Sequence, residues 1–183
     1  MKIKNEAKDF FSILYSRKSV RSFTGEPLDD DDLLEIVKAG MAAPSAVNAQ
    51  PWEFIIVKDR RTLDALGDAL PYAKMIYKAG AAIIVCGDRQ QAHGRLAEYA
   101  VIDPSLASEN ILLAAEALGL GAVWTAAYPY PERMGPVRSI LHIPEDIIPL
   151  NVIPVGHPSG EDLAKNKFRP EKIHQEVWQH GTS

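Results

Sequence analysis

Residues 17–23 bring several hydrogen-bond donors together in a short stretch. Among them are three cations and a hydroxyl, from Arg17, Lys18, Arg21 and Ser19. A guanidinium matches phosphate oxygens with two parallel hydrogen bonds, and a serine hydroxyl adds a short neutral donor. If Val20 points inward on an extended segment, Ser19 and Arg21 share the opposite face. The pattern predicts a phosphate-binding segment, and the alternative is a solvated basic turn after a helix.

A second polar segment, residues 44–52, lies between a predicted helix and a predicted buried strand. Two prolines stiffen it, and Ser45, Asn48 and Gln50 supply its polar side chains. Amide side chains donate and accept together, as a ring edge with alternating C=O and N–H groups requires. The pyrimidine ring of an isoalloxazine has such an edge. The alternative is a structural loop whose polar groups bond to the backbone and whose Trp52 fills the core.

A third cluster follows late in the chain, at Lys165, Lys167 and Arg169. By itself it is typical of a solvated tail. Together with residues 17–23 it predicts a site only if the fold brings both basic clusters onto one dianionic phosphate.

The elements that must position these side chains can be read from apolar patterning. Helices are predicted up to Tyr15, over 27–41, 61–70 and 72–78, and after Asp103-Pro104. Short apolar runs predict strands at 54–57, 82–86, 122–125 and 151–156. Many helices and few strands favour an α+β or mixed α/β class. With no linker or repeat visible, we expect one domain across 1–183, with its core at about 10–173.

The helix after Pro104 has an unusual composition. Asp103 is expected to cap it, Pro104 to take its first position, and Gly119 to end it. Its middle, residues 111–118, is apolar on nearly every side. Such a helix is expected to be buried on all sides, by the sheet or by a second subunit.

Composition and missing motifs exclude other classes. In 183 residues the formal net charge is −4, which argues against nucleic acid or an anionic membrane as a partner. No apolar run approaches the ~20 residues of a membrane span, and no signal peptide is evident. The single cysteine, Cys86, is expected to be a buried apolar side chain, which fits a reducing cytoplasm. Dinucleotide, Walker and serine-hydrolase motifs are missing, and the histidines lack metal spacing, so no metal is expected.

Taken in order, five motifs resemble those of the nitroreductase family. They are Arg17-x-Ser19-x-Arg21-x-Phe23, Pro44-Ser45-x-x-Asn48-x-Gln50-Pro51-Trp52, Gly119-Leu120-Gly121-x-x-Trp124, Pro154-Val155-Gly156-x-Pro158 and Lys167-x-Arg169. The resemblance implies an α+β, nitroreductase-like fold with a central mixed or antiparallel sheet flanked by helices. It also implies an intertwined homodimer with FMN at the subunit interface.

The resemblance also implies roles for individual residues. Those on the FMN phosphate, ribityl chain and N1/O2 edge would be Arg17, Lys18, Ser19 and Arg21. Those reaching the FMN of the other subunit would be Pro44, Ser45, Ala46 and Asn48. Backbone N–H groups of Ala126 and Ala127 would face N5 and O4, and Lys167 with Arg169 would complete the phosphate site. Lys18 replaces a more usual arginine or histidine, and the alanine pair replaces more polar residues of some relatives.

The activity that the resemblance implies is an NADH- or NADPH-dependent FMN oxidoreductase. The donor would reduce the flavin at N5, and a small planar acceptor such as a nitroaromatic or quinone would then take its place. No catalytic side chain is nominated. The alternatives are a reductive dehalogenase or other dedicated flavin enzyme, a non-catalytic FMN-binding or storage protein, and a phosphate-binding module without flavin. In this short chain, residues 128–131 and Met134 are candidates for lining the substrate pocket.

Overall fold

The computed structural model describes residues 10–160 and 162–178, which form five α-helices and five strands. The helices are α1 (Phe10–Ser16), α2 (Asp30–Met41), α3 (Arg60–Ala69), α4 (Tyr99–Ala117) and α5 (Pro131–Leu141). The strands are β1 (Trp52–Val57), β2 (Ala81–Asp88), β3 (Gly121–Ala122), β4 (Thr125–Ala126) and β5 (Ile147–Gly156). Residues 1–9, for which no signal peptide is expected, lie outside the described part. Within that part, no helix has the length and apolar character needed to cross a membrane.

The five strands make one antiparallel sheet. Its order is β1-β2-β5-β3, and β4 also pairs with β5. A parallel bridge joins Ser19 to Ala122, so the segment with the first basic cluster lies along the β3 edge. The predicted α+β class with a central sheet is confirmed.

Helices cover both faces of the sheet, because β2 and β5 are apolar at nearly every position and alternate between two cores. Ile83 and Val85 of β2 pack with α2 and α4, whereas Ile84 and Cys86 pack with α3 and α5. Cys86 is buried, as expected, and desolvation raises the pKa of its thiol to about 12. The thiol is therefore protonated at neutral pH and is a poor nucleophile.

Helix α4 begins earlier than the sequence predicts. It starts at Tyr99, so Asp103 and Pro104 lie inside it rather than at its cap. Pro104 is the sixth residue of the helix, and because proline has no N–H, the Ala100 carbonyl lacks its hydrogen bond from position 104. Asp103 is buried and accepts a hydrogen bond from the Ala46 N–H at 3.1 Å, so its carboxylate serves another segment.

Within one chain this helix is not buried on all sides, so the expected burial still depends on the second subunit that the sequence analysis allowed. Ile111 and Ala115 are fully buried, but Ile102 is 51% and Leu106 is 42% exposed. The sheet covers one side of the helix. The other side lies on the surface of the described part of the chain.

Two further elements differ from their predictions. The helix expected at 72–78 is a short 3-10 turn, Lys74–Lys78, as is common in connectors that follow a proline turn. The strand expected at 122–125 is divided into β3 and β4. Val123 faces Pro154 of β5, and Pro154 has no N–H with which to complete the ladder.

Candidate functional site

One cavity of about 560 Å³ collects cations from both ends of the chain. We call it the anion cavity; it is lined by Arg17, Lys18, Ser19, Arg21, Asp162, Leu163, Lys165 and Lys167. Five of these side chains are cationic and one is a carboxylate. The fold therefore brings Arg17 and Lys167 to the same place, although 150 positions separate them in the sequence.

The first basic segment is held there by a close backbone approach. Val20 is buried and its N–H donates to the Ala122 carbonyl at 3.0 Å. A Cβ on Gly121 would lie 2.7 Å from the Val20 Cβ, so only glycine leaves room for this strand. With Val20 inward, Ser19 and Arg21 both border the cavity, as the alternation of an extended segment predicts.

Two of the cations are already paired with carboxylates of α4. Arg17 Nε lies 3.3 Å from Glu109 Oε1, and Lys18 Nζ lies 3.4 Å from Glu116 Oε2. Glu116 is only 5% exposed, and it also accepts a 2.7 Å hydrogen bond from the Ser16 hydroxyl. Because this buried carboxylate compensates its charge, Lys18 adds less to the anion cavity than its position suggests.

The late cluster reaches the cavity only in part. Lys165 and Lys167 line it, whereas Arg169 does not; the Arg169 Nε lies 4.0 Å from Glu171 Oε1 instead. Asp162, which no motif singled out, accepts the Arg21 backbone N–H through Oδ2 at 3.0 Å. This bond ties the late segment to the first basic segment.

A second cavity, of about 240 Å³, lies beside the first. We call it the ring cavity; it is lined by Arg21, Leu70, Pro71, Tyr72, Met75, Val123, Trp124, Thr125, Ala126 and Arg133. Arg21 borders both cavities, so one elongated ligand can occupy the two.

The two alanines expected beside a flavin ring differ in their surroundings. Ala126 lines the ring cavity. Ala127 is fully buried, and its N–H donates to the Leu150 carbonyl at 3.1 Å. The Ala127 amide is thus already used inside the sheet. Met134, a candidate pocket residue, packs into the core below, and residues 128–131 do not line this cavity.

Sequence reasoning missed Arg133. Its guanidinium carbon lies 3.8 Å from the centroid of the Tyr130 ring and 5.7 Å from that of Tyr72. The spacing of Tyr130 and Arg133 at i and i+3, at the start of a proline-led helix, is the signal that could have indicated the stack.

Residues 44–50 line neither cavity. Besides the Ala46–Asp103 bond, the Gln50 N–H donates to the Ser45 hydroxyl at 3.0 Å, and the Gln50 side-chain amide donates to the Asn48 side chain at 3.1 Å. Trp52 is buried against Ala43 and Ala107. The loop that contains Pro44, Ser45, Ala46 and Asn48 therefore has a defined shape and lies outside both cavities of its own chain.

The donor set suits a particular class of ligand. The cations of the anion cavity match phosphate, and the aromatic and apolar lining of the ring cavity, flanked by two guanidiniums, matches a flat ring with electron-rich oxygens. The fold and site thus define an α+β protein built to hold a phosphate-tailed ring, and the residues present fit FMN.

Comparison with known proteins identifies the family. The model described as "Nitroreductase family" matches residues 14–71 and 67–157. A relative from Archaeoglobus fulgidus, provisionally named NADH dehydrogenase/NAD(P)H nitroreductase, is 41% identical over 178 residues, covering 93% of this chain and 99% of the relative. The chain belongs to the nitroreductase family, which confirms the resemblance drawn from the motifs.

Solved structures agree with this membership. A provisionally named NADH dehydrogenase/NAD(P)H nitroreductase from Parabacteroides distasonis superposes with a TM-score of 0.88 at 45% identity, covering 93% of this chain and 99% of that one. A provisionally named nitroreductase from Desulfovibrio desulfuricans, solved in complex with FMN, has a TM-score of 0.80 at 26% identity, covering 95% of this chain and 100% of that one. The nitroreductase-like fold is therefore established.

Proposed function

We propose that this protein is an NAD(P)H-dependent FMN oxidoreductase that reduces nitroaromatic or quinone-like acceptors. Family membership and the names of its relatives support the flavin oxidoreductase class. The observation that carries the proposal is the meeting of Arg17 and Lys167 in the anion cavity, with Arg21 bordering both that cavity and the ring cavity.

FMN, when bound, supplies the redox chemistry, and the chain supplies position and electrostatics. In this proposal Arg17, Ser19 and Lys167 hold the phosphate and the ribityl chain in the anion cavity. Arg21 lies at the junction of the cavities, where its positive charge favours electron density on the adjacent ring edge. Lys18 acts through charge that Glu116 has largely compensated.

We propose a homodimer in which each site is shared. Ile102 and Leu106 leave an exposed apolar surface on α4, and Val47 at the tip of the 44–50 loop is 75% exposed. The buried Asp103 connects this loop to the same helix. A second copy covering α4 would bury these side chains and bring Pro44, Ser45, Ala46 and Asn48 to its partner's FMN.

No side chain of the ring cavity needs to act as a general acid or base. Its lining contains no carboxylate and no histidine. The nicotinamide donor and the acceptor then use the same open ring face in turn, so the reaction is expected to be ping-pong. Buried, protonated Cys86 takes no part, and it fits the reducing cytoplasm expected from the sequence.

An absorption spectrum followed by stopped-flow mixing tests this proposal. The purified protein should be yellow, its flavin should bleach with NADH or NADPH, and nitrofurazone or menadione should restore the oxidised spectrum. Failure of both nicotinamides to bleach a bound flavin would contradict the reductase and favour a storage protein. A colourless protein that does not take up added FMN would favour a phosphate-binding module. Bleaching that only halogenated aromatics reverse would indicate a dehalogenase.

A further inference from the structure

Arg133 is the cation of the ring cavity that no motif explains. It comes from the start of α5, far in sequence from both basic clusters, and yet it borders the same cavity as Arg21. The Arg133 guanidinium carbon lies over the Tyr130 ring, 3.8 Å from its centroid, and among the described residues no carboxylate forms an ion pair with it.

The hydrogen-bonding capacity of Arg133 is largely unused. A guanidinium carries five N–H donors. Within the described part of the chain, its hydrogen bond is a long one, 3.5 Å from Nη1 to the Ala126 carbonyl, and the buried Nε has no partner. An under-satisfied, pre-positioned guanidinium at a cavity wall gains from a ligand that brings oxygen acceptors.

The position of the cavity indicates which ligand that is. Arg21 borders both cavities, so a ligand whose phosphate occupies the anion cavity extends toward Arg133 with its ring. The nearby carbonyl of Ala126 accepts hydrogen bonds and would repel a free anion, but it tolerates a ring edge that carries both N–H and C=O groups.

We propose that Arg133 binds the oxygen-bearing edge of the flavin ring, as a second cation of the ring cavity besides Arg21. The proposal rests on FMN being the ligand of this site. Its physical consequence is electrostatic: two guanidiniums beside the ring stabilise the negative charge that the ring gains on reduction. Arg133 therefore strengthens binding of reduced FMN more than binding of oxidised FMN.

The test measures FMN affinity and reduction potential in Arg133→Met, which keeps the length of the side chain and removes its charge. The preference for reduced over oxidised FMN should fall about tenfold, equal to about 30 mV for a two-electron couple. Arg133→Lys keeps the charge and should stay close to the wild-type potential. Tyr130→Leu releases the stack and should give a smaller shift in the same direction.

Matched controls separate this role from others. Arg89→Met removes an exposed arginine that lines neither cavity, and it should leave the potential unchanged. An unchanged potential in Arg133→Met, in a folded protein that binds FMN, would overturn the proposal. A raised KM for para-nitrobenzoate with an unchanged KM for para-nitrobenzamide would also overturn the proposal, because it would show that Arg133 binds the acceptor. Failure of the wild-type protein to bind FMN would contradict the proposed function instead, before Arg133 is tested.

Discussion

Residues 17–23 are held along the sheet, whereas residues 44–50 are tied to α4 through the carboxylate of Asp103. The first segment donates from Val20 to Ala122, and its polar side chains border a cavity of their own chain. The second segment borders neither cavity, and three of its non-glycine residues, Val47, Asn48 and Gln50, have positive φ.

The difference between residues 17–23 and residues 44–50 indicates that the two segments serve different parts of the proposed site. A β-branched residue such as Val47 with φ of 49° is strained, and strain of this kind persists where the surroundings enforce it and often marks a binding loop. One segment borders the anion cavity of its own chain. The other borders neither cavity of its own chain, and in the proposed homodimer it reaches the FMN of the partner.

The largest expected effect comes from mixing two inactive variants. Arg17→Ala/Lys167→Ala removes the phosphate half of the site, and Ser45→Ala/Asn48→Ala removes the polar groups of the loop. If each site takes one half from each chain, mixed dimers contain one intact site, and unfolding and refolding the two together should restore about a quarter of wild-type activity. Activity that stays at the level of the separate variants would show that both halves serve the same chain's site.

Gly121→Ala should disturb the first segment. The new Cβ would meet the Val20 Cβ at 2.7 Å, and overpacking of this kind costs about 1–3 kcal/mol in the free energy of unfolding. Chemical denaturation measures this cost, and FMN affinity should fall with it. Adding Val20→Ala to the Gly121→Ala variant should restore part of the lost unfolding free energy. Gly135→Ala is the matched control, since nothing lies within 4 Å of its Cβ position.

Asp103→Ala should act on the second segment. It leaves the Ala46 N–H without its buried acceptor, at a cost of about 1–2 kcal/mol in unfolding free energy. Asp103→Asn keeps an acceptor oxygen and should lose less. In the shared-site account, both variants weaken dimerisation and FMN binding together, as sedimentation and flavin fluorescence can follow. Loss of stability with dimerisation intact would mean that the loop stabilises its own chain and takes no part in the dimer interface.

Val47→Asn should give the smallest effect and the opposite sign. Asparagine tolerates positive φ, so an isolated chain should gain about 0.5–1 kcal/mol, and little core is lost because Val47 is exposed. Dimer affinity should nevertheless fall, because a polar side chain replaces an apolar contact. A rise in both the unfolding free energy and the dimer affinity would show that Val47 faces water in the assembly as well.

Much of this arrangement can be predicted from the sequence. The buried strands, the inward Val20 and the burial of Cys86 follow from short-range alternation and apolar runs, and the family follows from motif order. The sequence misplaces the start of α4 because Asp103-Pro104 is a good local cap, and only tertiary structure shows that the Asp103 carboxylate serves Ala46.

The remaining features depend on contacts between distant segments. Arg133 belongs to no motif, and its position in the ring cavity depends on α5 meeting β4, the strand that ends at Ala126. The pairing of Lys18 with Glu116 joins positions 98 residues apart. A pattern in one short stretch of sequence cannot reveal contacts between residues so far apart in the chain.

Calorimetric titration of the flavin-free protein with FMN and with riboflavin tests the central claim most directly. Riboflavin has the same ring but no phosphate. Two charge-assisted contacts from Arg17 and Lys167 predict that FMN binds at least about 100-fold more tightly at low salt, and that Arg17→Ala/Lys167→Ala abolishes this difference. Equal affinities for the two flavins in the wild-type protein would contradict the convergence of the two basic clusters on one phosphate.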